Sequence, residues 1–203
     1  GLHDSFDFCP TDPLNRCAGP VATCGTGAAS DCAAGTDLRF DLGGTAPRTD
    51  CNGDVWTDDT GAGGDYVGGN LSGTVSDAFG CADTDTEVLV QSFAFLNPDL
   101  SRSYPIANGA YFVNMLFAET DPQACIPGRR VMDISIEGRL VYEDFDTYGA
   151  AANQHGAVNA CGGLVVRSAG AHVTDGTLDI ELTEITGGEA AILNAIEVIE
   201  ITP

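Results

Sequence analysis

The chain has 203 residues, which is enough for one globular domain with a substantial core and an appended segment. Its formal net charge is −22, from 30 acidic residues against eight arginines and no lysine. A surface this negative repels phosphate backbones and anionic lipids, which argues against nucleic acid and membrane surfaces as partners. No apolar run reaches the roughly 18 residues of a membrane-spanning helix, and the absence of an initiator Met leads us to expect a processed N-terminus.

Eight cysteines are spread through turn-rich sequence, and an even set of this kind is typical of an extracellular disulfide framework. No Cys-x-x-Cys pair occurs, which disfavours a zinc site. We therefore predict a protein that is secreted or displayed on the cell surface. Position along the chain suggests that Cys125 pairs with Cys161, and that Cys51 pairs with Cys81. The first four cysteines would then pair among themselves, although other pairings remain open; the full set is Cys9, Cys17, Cys24, Cys32, Cys51, Cys81, Cys125 and Cys161.

Residues 1–36 differ in composition from the rest of the chain, being rich in Cys, Gly, Ala, Pro and Asp. They show neither the period of a strand nor that of a helix. We predict a disulfide-stapled, largely irregular N-terminal extension, followed by one domain over residues 37–203.

From residue 38 onward, short β-rich runs alternate with Gly, Asn, Asp and Pro clusters, and no helix-length amphipathic stretch occurs. In residues 110–119 both faces carry mostly apolar side chains, with Asn114 on one of them, so both are expected to be largely buried, which predicts a central strand. Residues 131–143 predict a hairpin that turns at Glu137-Gly138-Arg139, and residues 177–183 alternate strictly, which predicts one solvent-facing side. The fold class is therefore all-β, a jelly-roll-type β-sandwich. The other predicted strands are residues 38–42, 86–95 and 191–201.

Five short segments occur in a specific order along this domain. Residues 38–44 read L-R-F-D-L-G-G and residues 54–59 read D-V-W-T-D-D. Further on, residues 109–119 read G-A-Y-F-V-N-M-L-F-A-E, residues 130–138 read R-V-M-D-I-S-I-E-G, and residues 194–198 read N-A-I-E-V. The series resembles the motifs "R-I-N-x-G-G", "G-x-x-W-x-x-D", "G-x-Y-x-V-x-L-x-F-A-E", "R-x-F-D-V-x-I-N-G" and "N-A-I-E-I" of the malectin family of carbohydrate-binding domains.

This resemblance implies a jelly-roll sandwich whose loops at one end hold a small carbohydrate against aromatic rings, with no chemistry performed. Many family members also carry a "Y-x-T-x-R-Y-G" stretch, whereas the aligned residues 88–96 read V-L-V-Q-S-F-A-F-L. Of that stretch only Phe93 and Phe95 supply rings. Glu189, in the loop before the closing strand, stands where the family often places a polar ligand-facing group. The resemblance therefore leaves open whether the sugar specificity differs or sugar binding is lost.

Exposed aromatic residues are the leading candidates for ligand contacts. Tyr66 and Tyr148 lie in Gly/Asp-rich sequence, where a ring is less easily assigned to the core. Trp56 either lines a binding cleft or plugs one end of the sandwich, and its place in the second motif favours the plug. Asn70 begins an Asn-Leu-Ser sequon, which predicts N-glycosylation. The predicted carbohydrate-binding set is Tyr66, Phe93, Tyr148, Glu189 and Trp56.

Calcium is the best cofactor candidate, because acidic loops of jelly-roll domains often hold one ion through carboxylates and backbone carbonyls. Three acidic clusters could hold an ion in this way, although none has the spacing of an EF-hand loop. For each cluster, the alternative to calcium binding is a solvated acidic surface. The clusters are Asp58 with Asp59, Asp83 with Asp85, and Asp144 with Asp146.

Enzymatic chemistry is not predicted. Glycoside hydrolysis needs two placed carboxylates, and nothing singles out a pair among the 30 acidic residues. His3, His155 and His172 lie apart with no nucleophile motif beside them.

Two functions therefore stand as hypotheses. The first is a non-catalytic extracellular carbohydrate-binding domain whose partner is a glycan. The alternative is a structural subunit of an extracellular filament, sheath or surface layer, in which residues 1–36 join one copy of the chain to the next. The missing sugar-contact residues and the disulfide content favour this alternative.

Overall fold

The computed structural model describes residues 38–44, 46–49, 54–59, 62–64, 67–70, 91–156 and 160–201, with residues 67–70 described by their backbone. The predicted N-terminal extension, six of the eight cysteines, Tyr66, Asp83 and Asp85 lie outside these residues. The described residues contain thirteen strands and one helix. The strands are β1 (Leu38–Asp41), β2 (Arg48–Thr49), β3 (Val55–Asp58), β4 (Val67–Asn70), β5 (Ser92–Leu96), β6 (Asp99–Pro105), β7 (Gly109–Ala118), β8 (Val131–Ile136), β9 (Arg139–Asp146), β10 (Leu164–Val173), β11 (Thr177–Glu184), β12 (Ala191–Leu193) and β13 (Ala195–Glu200). Helix α1 spans Thr147–His155.

The strands form three sheets. The first has six strands in the order β10-β7-β13-β1-β3-β2, and the second has four in the order β6-β11-β8-β9. A three-stranded sheet, β12-β5-β4, adjoins them. Neighbouring strands are antiparallel except β1 and β3, which are parallel. The predicted all-β sandwich is confirmed.

Apolar side chains that alternate along the strands fill the space between the sheets. On β11, Leu178, Ile180 and Leu182 are buried while Asp179 and Glu181 are exposed, as the strict alternation predicted. Strands β7 and β8 bury every second side chain in the same cluster, namely Val113, Met115, Phe117, Met132, Ile134 and Ile136.

Strand β7 is buried on both faces, as its sequence predicted. It lies between β10 and β13, and its Leu116 and Ala118 point away from the main core because successive side chains alternate. They belong to a second apolar cluster with Trp56, Leu164 and Ala195.

The hairpin predicted around Glu137 is confirmed. Glu137 and Gly138 both have positive φ, at 53° and 66°, as a two-residue turn between right-twisted strands requires.

One short helix that the strand pattern did not predict, α1, follows β9 directly. Its sequence, TYGAAANQH, has no clear apolar face, and such a face is the signal that identifies a helix in a sequence. The helix begins instead through its cap: Oδ1 of Asp146 accepts the backbone N–H of Gly149 at 2.9 Å.

The predicted closing strand, residues 191–201, is divided at Asn194 into β12 and β13, which belong to different sheets. The Asn194 side chain accepts the N–H of Ala118 at 2.8 Å and donates to the Ser92 carbonyl at 3.1 Å. It thereby supplies hydrogen bonds where the chain crosses from one sheet to the other. This crossing places the loop before β12 beside the end of β7.

Candidate functional site

A cavity of about 230 Å³ lies at one end of the sandwich, where β5, β12, the end of β7 and the start of β8 meet. Its apolar side is formed by Phe93, Phe95, Ala118, Ala190 and Ile192. Its polar side is formed by Glu119, Thr120, Asp121, Arg130 and Glu189.

Two phenylalanines of β5 form an apolar platform in the cavity. Phe93 and Phe95 are two residues apart, so both rings lie on the same side of the strand. Their centroids are 5.5 Å apart and the ring planes are inclined by 49°. Ile192 of β12 stands opposite Phe95 in the strand register. Both rings are only partly buried, which leaves aromatic surface for a ligand.

The polar wall is built around a buried ion pair between Glu119 and Arg130. Nε of Arg130 donates to Oε2 of Glu119 at 2.6 Å, and the two side chains are 7% and 1% exposed. Oε1 of Glu119 accepts the N–H of Asp121 at 3.0 Å, and Arg130 also donates to the Ala190 carbonyl. The pair therefore joins three segments: the loop after β7, the start of β8 and the loop before β12.

Glu189 lies at the cavity in an exposed ion pair. Its Oε1 lies 3.0 Å from Nε and 2.9 Å from Nη2 of Arg129, and Arg129 is 46% exposed. The loop that carries Glu189 is organised by Glu184, whose carboxylate accepts the N–H groups of Thr186 at 2.7 Å and Gly187 at 2.6 Å. Burial alone would raise the pKa of Glu184, but these hydrogen bonds and that from the Thr186 hydroxyl lower it.

Asp121 is held in the loop after β7 by a turn and a disulfide. Its Oδ1 accepts the N–H of Gln123 at 2.9 Å, and its carbonyl accepts the N–H of Cys125 at 3.0 Å. Cys125 forms the predicted disulfide with Cys161, with a Cα–Cα distance of 5.3 Å. The bond fastens the loop carrying Asp121 to the segment before β10, which stabilises this side of the cavity.

The structure brings together two of the predicted ligand residues, Phe93 and Glu189, at the cavity. Trp56 is completely buried in the second apolar cluster and does not line the cavity, a placement that fits the plug alternative. Tyr148 lies in the first turn of α1, partly buried against the main core, and does not line the cavity. Asn70 ends β4 opposite Ser92, and its predicted glycosylation stays a prediction.

The predicted calcium ligands that the structure describes lie in separate environments. Asp59 forms a buried ion pair with Arg102 at 2.6 Å. Asp146 caps α1 and its Oδ2 accepts the N–H of Gly128 at 2.7 Å. Asp58 ends β3 and Asp144 is exposed on β9. In the described ranges no three His, Cys, Asp or Glu residues form a group suited to a metal ion, and calcium binding stays a prediction.

Sequence reasoning missed Glu119, Asp121 and Arg130 as site residues. A signal was present, because Glu119 directly follows the buried strand β7 and Arg130 directly precedes β8. Opposite charges at the ends of two apolar strands can pair when the ends meet. The sequence does not show which strand ends meet.

These features define a malectin-like β-sandwich with a cavity at its loop end. A family model described as "Malectin domain" matches residues 36–200. The chain belongs to the malectin domain family.

One curated relative is Receptor-like protein 4 from Arabidopsis thaliana, 36% identical over 105 residues, which are 51% of this chain and 16% of the relative. The chain thus spans about one sixth of that protein. Within the described residues, no helix combines the length and apolar character needed to cross a bilayer.

Solved structures with the same fold share less than 25% sequence identity, so they show the fold alone. The plant receptor-like kinase FER gives a TM-score of 0.63 at 18% identity, covering 83% of this chain and 42% of that one. The ANXUR2 extracellular domain from Arabidopsis thaliana gives 0.63 at 14%, covering 82% and 41%. A calcium binding mutant of Bacteroides uniformis beta-glucuronidase 2 gives 0.62 at 15%, covering 85% and 19%. These comparisons do not favour the filament alternative, which depends on residues 1–36 outside the described chain.

Proposed function

We propose that this chain is a non-catalytic, extracellular carbohydrate-binding domain and that the cavity is its glycan site. The observation that carries the proposal is a pair of partly exposed rings, Phe93 and Phe95, in the same cavity as carboxylates of Asp121 and Glu189. The C–H face of a sugar ring packs on an aromatic face, and carboxylate oxygens accept hydrogen bonds from its hydroxyl groups.

The size of the cavity favours a short ligand. Its volume, about 230 Å³, is below the roughly 300 to 1,000 Å³ common for sites that enclose drug-sized molecules. We therefore propose that it holds one sugar ring or the end of a glycan chain, with any further rings outside.

The bonding of Glu119 argues against this carboxylate as a catalytic group. Glycoside hydrolases use two carboxyl groups that are available to the glycosidic bond. Both oxygens of Glu119 already accept hydrogen bonds from the protein, one from Arg130 and one from Asp121. The shared fold of the beta-glucuronidase carries no activity to this chain, because one fold supports many functions.

An extracellular location is supported by two observations. The Cys125–Cys161 disulfide forms in oxidising compartments. The solved relatives include a domain named as extracellular, that of ANXUR2.

The test is a glycan array with the complete chain, followed by calorimetric titration of the glycans that bind. We expect Phe93→Ala and Phe95→Ala each to weaken binding by roughly 5- to 30-fold, which corresponds to about 1 to 2 kcal/mol of lost aromatic contact. The matched control is Tyr148→Ala, which removes a partly buried ring that does not line the cavity, and we expect it to leave affinity unchanged.

Two results would count against the proposal. One is the absence of binding to any glycan. The other is binding that persists in both phenylalanine variants but is lost in Tyr148→Ala, which would move the site to α1. Melting temperatures of all three variants show whether a loss of affinity reflects a loss of folding.

A further inference from the structure

The charged residues that line the cavity are mostly acidic, and this bears on which sugars can bind beside the aromatic rings. Three carboxylates and one guanidinium line it. The guanidinium belongs to Arg130, which is buried and already donates to Glu119 and to the Ala190 carbonyl. The positive charge of Arg130 is thus paired with the carboxylate of Glu119, so this pair adds no net charge to the cavity.

The carboxylates of Asp121 and Glu189, unlike that of Glu119, each have only one oxygen bonded to the residues that the structure describes. Oδ1 of Asp121 accepts the Gln123 N–H, and Oε1 of Glu189 pairs with Arg129. Within the described part of the chain, no hydrogen bond or ion pair reaches the other oxygen of either carboxylate. Both side chains are partly exposed. A ligand therefore meets oxygens that can accept hydrogen bonds and attract a positive charge.

We infer that the cavity sorts sugars by charge, binding an amino sugar more tightly than its neutral counterpart and excluding uronic acids. This inference rests on the proposed function and names the ligand class of the same site. The ammonium group of an amino sugar is attracted by Asp121 and, to a lesser degree, by Glu189, whose charge is partly balanced by Arg129. A uronate carboxylate is repelled by Asp121 and by the net charge of −22. Because both carboxylates are partly exposed, we expect a preference of about two- to fivefold for the amine over the neutral sugar.

The test is an NMR titration of the complete chain at pH 6.5 with methyl glycosides that share ring stereochemistry and differ in charge. The gluco series uses glucosamine, glucose and glucuronic acid, and the galacto series uses galactosamine, galactose and galacturonic acid. We expect affinity to fall in that order within the series that binds. Raising the ionic strength should reduce the differences, because salt screens partly exposed charges.

Variants separate the charge effect from the platform. Asp121→Asn and Glu189→Gln should each bring the ratio of amine affinity to neutral-sugar affinity, measured on the same variant, closer to one, because each removes a charge and keeps an oxygen that can accept a hydroxyl hydrogen bond. The matched control is Glu181→Gln, which removes an exposed charge on β11 that does not line the cavity, and it should leave the preference intact.

Three outcomes would overturn the inference. Equal affinity for amine, neutral sugar and uronate would refute it while leaving the proposed function standing, and so would tighter binding of the uronate. A preference that survives in both Asp121→Asn and Glu189→Gln would show that other groups cause it. Failure of all six sugars to bind would overturn this inference alone, whereas the absence of binding both in this titration and on the glycan array would overturn the proposed function with it.

Discussion

Replacing Arg130 with Met removes one half of a buried ion pair and leaves the Glu119 carboxylate in place. Glu119 is 1% exposed and Arg130 is 7% exposed, so water cannot replace the lost partner without a rearrangement. Breaking such a pair costs about 3 to 5 kcal/mol, because a buried charge is left uncompensated. A domain of this size has about 5 to 15 kcal/mol of stability in total. We expect Arg130→Met to lose roughly a third of it.

Urea unfolding followed by fluorescence measures this loss. The single tryptophan of the chain, Trp56, is completely buried and reports the unfolding of the sandwich. The matched control is Arg129→Met, because Arg129 is adjacent in sequence but 46% exposed in its pair with Glu189. An exposed pair contributes about 0 to 1 kcal/mol, so the control should change stability little.

The double variant Arg130→Met with Glu119→Gln tests the physical cause. It removes both charges and keeps an amide oxygen that can accept the N–H of Asp121. We expect it to be more stable than Arg130→Met alone, because no uncompensated charge remains. The reasoning is refuted if Arg130→Met costs no more than Arg129→Met, or if the double variant shows no recovery.

Two further predictions concern pH and calcium. Burial raises the pKa of Asp41 from its ordinary 3.8 to about 6, against hydrogen bonds from Ser92 and Arg48. Between its unfolded and folded pKa values, Asp41 binds a proton in the folded state and releases it in the unfolded state. The stability that this proton adds to the fold is present at low pH and is lost as the pH rises through about 6. We expect Asp41 to contribute about 1 kcal/mol more to the free energy of unfolding at about pH 5 than at about pH 7.5. Urea unfolding at both pH values should show this difference in the original chain and not in Asp41→Asn. The same pH dependence in both proteins would contradict the prediction. Glu184 has a lowered pKa and an opposite effect, but only below its ordinary value of 4.5, outside this window. For calcium, we expect millimolar Ca²⁺ to raise the melting temperature through binding to the acidic loops. An unchanged melting temperature would refute calcium binding.

Periodicity explains why much of the sandwich could be predicted from the sequence. Strand β11 alternates because one side contacts the core and the other contacts water. Strand β7 is mostly apolar on both faces because it lies between β10 and β13 and most of its side chains are buried. The turn at Glu137-Gly138 could be predicted because a two-residue hairpin turn takes a positive φ at its second position, where the sequence has Gly138 between two β-rich runs. These features depend on neighbours within a few residues.

The features that escaped prediction either lack a local apolar pattern or depend on contacts across the chain. Helix α1 has a cap but no apolar face, so only its capping residue Asp146 indicated it. The polar wall of the cavity joins Glu119 to Arg130 across a loop whose path the sequence does not give. Tyr148 looked exposed because its neighbours are small and polar, yet α1 packs its ring against the core.

The pairing of the first and last described strands has a consequence for how this domain forms. Strand β1 pairs with β13, with Leu38 opposite Val198, and β13 also pairs with the central strand β7. Such pairing closes a loop of nearly the whole domain, and contacts between distant residues form slowly during folding. The cavity depends on the same late step, since Phe95 on β5 and Ile192 on β12 come from opposite halves of the chain. During synthesis, the residues of β5 that carry both rings are therefore made well before the residues of β12 that complete the cavity.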